Sequence, residues 1–131
     1  MTPGEVSQWA DRFFAAIEAG EIETVASMYH DDVVVWHNYD LVEQNKADNL
    51  GVLSALGAGL RDLRYLDRRR DDFADGFVQQ HVLSGIGVDD QRVSLHAALV
   101  VHLVDGLAVR LDEYIDSAEV ATFVGAFAPP A

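Results

Sequence analysis

Three aspartate-led turn signals, Asp75-Gly76, Asp89-Asp90 and Asp105-Gly106, cut the chain after Leu60 into apolar segments of strand length. Aspartate and glycine tolerate the left-handed backbone of a tight reversal, so each signal predicts a hairpin. Four antiparallel strands follow, near residues 63–73, 77–88, 91–104 and 107–116. A meander of that size needs an apolar layer over one face, and the first half of the chain supplies helices for it.

Thr2-Pro3-Gly4-Glu5 predicts a helix start, because the threonine hydroxyl caps free amides, proline suits the first position and the glutamate completes the box. Val6, Trp9, Phe13 and Ile17 recur at helical spacing up to Gly20. Ile22, Val25, Ala26 and Tyr29 predict a second, short helix ending near Asp31-Asp32. Val33-Val34-Val35-Trp36-His37 is β-branched and aromatic and predicts a strand, with a polar loop from Asn38 to Asn45 after it. A third helix is expected from about Lys46 to Leu60, burying Leu50, Leu53, Leu56 and Leu60. Ser117 caps a last helix with Val120, Phe123, Val124 and Phe127, which Pro129-Pro130 stops.

Side-chain parity gives the last two strands an inner and an outer face. Leu95, Ala97, Leu99, Val101 and Leu103 share the inner face, leaving Ser94, His96, Ala98, Val100 and His102 outside. On the partner strand Val109, Leu111 and Ile115 face inward, with Arg110, Asp112, Tyr114 and Asp116 opposite. Glu113 breaks this rule, since its parity places a carboxylate among the apolar residues. Such a group must be paired, hydrated in a cavity or protonated, because an isolated buried charge costs several kcal/mol.

His37 is the second residue of chemical interest: it ends a strand, precedes the polar loop Asn38-Tyr39-Asp40, and titrates near neutrality, as a general base requires. His96 and His102 share the outer face too far apart to make a metal site by themselves. Arg68-Arg69-Arg70 followed by Asp71-Asp72 reads as a self-neutralising, solvated strand end, and Trp9, Phe13, Phe123 and Phe127 read as core. No phosphate-binding glycine loop, nucleophile elbow or His-Glu-x-x-His motif is present.

Composition narrows the chemistry further. The 131 residues fit one domain, 1–131, and the absence of cysteine excludes disulfides, thiolate metal sites and a cysteine nucleophile. A net charge of -13 repels nucleic acid and anionic membranes. MTPGEVSQWADRFF has neither a basic start nor a continuous apolar run, so a soluble, cytoplasmic protein is expected.

Two helices, a strand, a helix and a four-stranded meander form an order that resembles the nuclear transport factor 2-like superfamily. Gly20-Glu21-Ile22-Glu23 and Met28-Tyr29-His30-Asp31-Asp32-Val33-Val34-Val35-Trp36 are similar to that family's opening, and Asp105-Gly106 through Arg110-Leu111-Asp112-Glu113-Tyr114-Ile115-Asp116 to its closing strand. The SnoaL-like polyketide cyclase and ketosteroid isomerase branches are nearest. The resemblance implies an α+β cone, a curved, mainly antiparallel sheet wrapped around N-terminal helices. It also implies that His37 stands where steroid isomerases place their aspartate base, and where limonene epoxide hydrolase-like proteins hold the attacking water. Glu113 stands at a catalytic aspartate of those hydrolases. Phe13 replaces the isomerases' oxyanion-hole tyrosine, and Leu99 stands at or beside their hydrogen-bonding acid. Where the hydrolases use an arginine and an aspartate, this chain has Gln79, Gln80, His81 and Ser84.

The expectation is a cofactor-free, metal-free enzyme for a small apolar molecule, working by isomerisation, cyclisation or hydration. His37 is the expected base and Glu113 its acid partner or water-orienting group. Trp9, Phe13, Val35, Tyr39, Leu99, Val101, Leu111 and Ile115 are expected to line the cavity, with His81 joining them if it points inward. A non-catalytic binding protein and a ligand-free dimerisation domain are the alternatives. A homodimer is expected through the outer sheet face, where Ala98, Val100 and Tyr114 lie among His96, His102, Arg110 and Asp112.

Overall fold

A computed structural model describes residues 1–127, so the expected stop at Pro129-Pro130 lies outside the described residues. Along the chain come α1 (Pro3–Ala19), α2 (Ile22–Met28), β1 (Tyr29–His37), β2 (Glu43–Gln44) and α3 (Lys46–Gly59). They are followed by β3 (Arg61–Phe73), β4 (Gly76–Ile86), β5 (Arg92–Val104), β6 (Leu107–Ile115) and α4 (Ser117–Phe127). The capping box is formed as expected: the Thr2 hydroxyl accepts from the Glu5 amide, and the Glu5 carboxylate accepts from the Thr2 amide. Gly20, at φ 70°, turns the chain out of α1.

The strands form one six-stranded sheet in the order β2-β1-β6-β5-β4-β3. Among the described residues only the β1–β6 pair is parallel; the meander is antiparallel throughout. All three turn signals hold, with Asp75, Asp90 and Asp105 in the left-handed region at φ 63°, 64° and 51°. Two further aspartates, Asp62 at φ 50° and Asp67 at φ 53°, lie at register shifts in β3. Bulges of this kind bend a strand and increase its twist, which lets the sheet wrap around α1. Trp9 stacks on Phe13 at 5.0 Å, and Phe14 meets Tyr65 edge-on at 4.8 Å, so the inner face of α1 fills the hollow with aromatic rings.

Four local expectations need correction. The second helix ends at Met28, and β1 starts at Tyr29 rather than Val33, because Tyr29 is extended and its side chain is buried. Asp31 and Asp32 are accommodated in the strand because they lie exposed where its register against β6 shifts. The loop from Asn38 to Asn45 contains β2, whose two residues pair with Val35 and Trp36 and are too few to show any periodicity. Val109 sits at a register shift between β5 and β6, so Ala108 takes the buried position instead. Finally, the arginine run is not neutralised by Asp71-Asp72. Arg68 binds Glu18 and Arg70 binds Asp11, both on α1, and these pairs tie the helix to β3.

The last helix closes over the open side of the sheet. A Cβ at Gly59 would overlap the Phe127 backbone, so the end of α4 approaches α3 where only glycine leaves room.

Candidate functional site

A transverse row of side chains crosses the inner face of the sheet. Arg70 of β3 pairs in register with Gln79 of β4, Gln79 with Leu99 of β5, Leu99 with Glu113 of β6, and Glu113 with His37 of β1. Neighbouring strands lie about 4.8 Å apart, so the row places two polar groups at each end with Leu99 between them. At the β1 end, His37 Nε2 lies 3.2 Å from Glu113 Oε1. Asn38 holds that register: its backbone amide donates to the Glu113 carbonyl, and its side chain accepts from the Ile115 amide at 2.8 Å and donates to the Ile115 carbonyl. Of the three ways to tolerate Glu113 on an apolar face, the fold uses pairing.

Burial by itself pulls the His37 pKa down. The hydrogen bond to Glu113, the charge of that carboxylate and the charge of Asp40 together outweigh it, and the imidazole is held above its ordinary value. Among the described residues, His37 Nδ1 is the one buried side-chain polar atom without a protein hydrogen-bond partner. Tyr39 leans over the pair with its ring 5.6 Å from that of His37.

A cavity opens on the pair, with about 820 Å³ of unoccupied space including the solvent at its mouth. Its mainly apolar wall with a few polar groups suits a small organic ligand. Phe13, Val35, Tyr39, Leu99, Leu111 and Ile115 line it as expected, together with His37 and Glu113. Leu53 and Leu56 of α3 and Phe123 of α4 cover the opposite side. Val52, Tyr39 and Val124, each more than a third exposed, mark the mouth.

Three expected lining residues lie elsewhere. Trp9 is turned toward the β5–β6 hairpin, where its indole N–H donates to the Gly106 carbonyl at 3.0 Å. Val101 is fully buried in the next row, between Phe77 and Leu111. His81 is buried on the inner side but packs against Tyr65 and Phe14, with ring centroids at 4.7 and 5.5 Å, and lies outside the cavity wall.

Arg70 Nε donates to Gln79 Oε1, so the Gln79 amide nitrogen faces His81 Nδ1 at 2.9 Å and donates to it. The His81 proton therefore sits on Nε2. Burial in these apolar surroundings lowers the His81 pKa to about 4.

Sequence reasoning missed Tyr29, Asn49 and Tyr65, all of which line the cavity. The Tyr29 hydroxyl donates to Asn49 Oδ1 at 2.7 Å, and Asn49 Nδ2 donates to Gln44 Oε1 at 3.0 Å. A signal for Asn49 was present: it falls on the helical stripe with Leu53, Leu56 and Leu60, where a polar residue is out of place.

The family model for the SnoaL-like domain matches residues 10–111, a span that contains His37 and stops just short of Glu113. Similar solved structures include AclR from Streptomyces galilaeus, to which a hydroxylase activity has been ascribed. It is 16% identical with a TM-score of 0.82, over 95% of this chain and 87% of that one. IdmH from Streptomyces antibioticus, ascribed to the polyketide cyclases, is 15% identical with a TM-score of 0.77, over 91% and 97%. A protein with a ketosteroid isomerase-like fold from Catenulispora acidiphila is 10% identical with a TM-score of 0.73, over 99% and 96%. No curated protein matches the chain significantly in sequence. At these identities the structures establish the shared cone-like α+β fold and leave the reaction to the residues of the site.

Proposed function

We propose, from the premise that this chain belongs to the SnoaL-like domain family, that it is a small-molecule enzyme using His37 and Glu113 for general acid/base chemistry. The reaction class is isomerisation, cyclisation or hydration of an apolar substrate held in the cavity. The observation that carries this reading is the 3.2 Å contact between an imidazole and a carboxylate inside an otherwise mainly apolar hollow. The two groups act as a unit. His37 commits Nε2 to Glu113 and keeps Nδ1 buried, so the Glu113 oxygen that His37 does not engage is the one best placed to touch a substrate. That oxygen, in place of the His37 ring expected as base from the sequence, accepts a proton from carbon or from water and returns it to another position. When protonated, the His37 ring behind it balances the negative charge that develops in the cavity.

Phe13 and Leu99 supply no hydrogen-bond donor to a developing enolate oxygen, and both line the cavity. This favours, as a second reading, a protein that binds an apolar metabolite without turning it over. The open cavity favours these two readings over a ligand-free structural domain. The two remaining readings separate on a panel of enones, epoxides and polyketide-like substrates, with binding followed by thermal shift and turnover by mass spectrometry. A β,γ-unsaturated ketosteroid is expected to isomerise slowly, because losing one oxyanion donor costs about 100-fold or more. Binding without turnover across the whole panel would establish the second reading.

The outer sheet face is proposed as a homodimer contact. Trp36 and Tyr114 stack there edge-on at 5.3 Å, and the nearby charges satisfy one another within the chain, Arg110 with Asp112 and Glu43, and His96 with Glu119. Light scattering is expected to report a dimer at micromolar concentration; a monomer throughout about pH 5 to 8 would refute it.

A further inference from the structure

The cavity has a second polar pole that the His37–Glu113 pair does not use. Tyr29 begins β1 and His37 ends it, and both side chains reach the same hollow. Tyr29 and Asn49 are both nearly inaccessible to bulk solvent, at 3% and 4% exposure, and yet both border the cavity. Their hydrogen bonds leave a defined remainder. The Tyr29 hydroxyl spends its proton on Asn49 Oδ1, so its oxygen is left as an acceptor. Asn49 spends one amide proton on Gln44 and keeps the other as a donor. Exchanging the two ends of the Asn49 amide would reverse which residue offers which, but one donor and one acceptor would still stand side by side.

We infer that the Tyr29–Asn49 pair is a specificity site for a hydroxyl group on the ligand, remote from the His37–Glu113 pair. A hydroxyl both donates and accepts, and so satisfies both residual valences. A carbonyl would use only the donor, an ammonium only the acceptor, and a carboxylate would be buried there without a counter-charge, since Lys46 on this side is engaged with the Tyr29 carbonyl and Asp31. The inference rests on the reading of the cavity as a binding site for an apolar molecule. It narrows that molecule to one with an apolar body, a reactive centre at the Glu113 end and a hydroxyl at the other.

The test uses β-tetralone, an enolisable bicyclic ketone, and its ring-hydroxylated isomers as probes, with affinities from calorimetry. At least one hydroxy isomer is expected to bind the wild-type protein about tenfold tighter than β-tetralone itself, the effect of one added neutral hydrogen bond. In Tyr29→Phe and, independently, in Asn49→Leu, the ratio of the two affinities is expected to fall to about one. The ratio is read within each protein, so a general weakening of either variant does not imitate the result. Equal wild-type affinity for β-tetralone and every hydroxy isomer would overturn the inference, as would a preference that survives in both variants. Glu113→Gln separates this from the proposed function: loss of the catalytic reading would show as unaltered deuterium exchange at the ketone in that variant, with the hydroxyl preference intact.

Discussion

Glu113→Gln is expected to slow the exchange of ketone α-protons for deuterium by about 100-fold or more, the usual contribution of a positioned general base. The substitution keeps the size of the side chain and its place opposite His37 but removes the group that accepts the proton. His37→Ala should cost a comparable factor, and the double variant little more than the worse single one, because the pair works as a unit. Nuclear magnetic resonance of β-tetralone in deuterated water reads all three rates. A folded Glu113→Gln protein that exchanges as fast as wild type would remove Glu113 from the mechanism.

The same pair makes a prediction that needs no substrate. The folded His37 pKa is raised above 6.5, burial acting against it and Glu113 and Asp40 prevailing. A group raised in this way stabilises the fold fully below its unfolded pKa, and that contribution is lost as pH rises through the folded value. In Glu113→Gln the strongest opposing influence is gone and burial dominates, so the imidazole midpoint should move downward. A midpoint that does not move would show that the 3.2 Å contact has no electrostatic weight.

Acid should weaken the fold in part through His81. Its pKa falls from 6.5 to about 4 on folding, with burial as the main cause, a small opposing pull from Glu113 and a further lowering by Arg68. The sign is opposite to that of His37. Stability is complete above the unfolded pKa and declines as pH falls toward the folded one, because the unfolded chain takes up the proton first. The shift corresponds to about 3 kcal/mol at the acid end of this range. His81→Gln cannot titrate but can still accept from Gln79, so urea unfolding of wild type and variant should diverge in their dependence on pH between about 6.5 and 4. Parallel pH dependences would mean that His81 is not held neutral by the core.

Much of this molecule was legible from period and punctuation. The three aspartate turns, the capping box at Thr2 and the inner face of β5 are local signals, each carried by residues within one or two turns of chain. Glu113 was visible for the same reason: an acidic residue in an alternating strand declares its face without reference to any other element. The resemblance then brought His37 to it, and the sheet side of the cavity wall, with Val35, Leu99, Leu111 and Ile115, was readable once the inner face was known.

What the sequence determined by itself was therefore the five long strands, most of their faces and the one misplaced carboxylate. Tertiary structure decided which residues meet. The parallel register of β1 against β6 joins positions 37 and 113 across the length of the chain, and no local period encodes such a pairing. Trp9 left the cavity wall because a carbonyl at Gly106 satisfies its indole, and Arg70 left the solvent because Asp11 and Gln79 receive its guanidinium. Tyr29 and Asn49 became a polar pole only when β1 met α3. A polar side chain is placed by its partners, and those partners come from distant segments, whereas an apolar side chain is placed by its face alone.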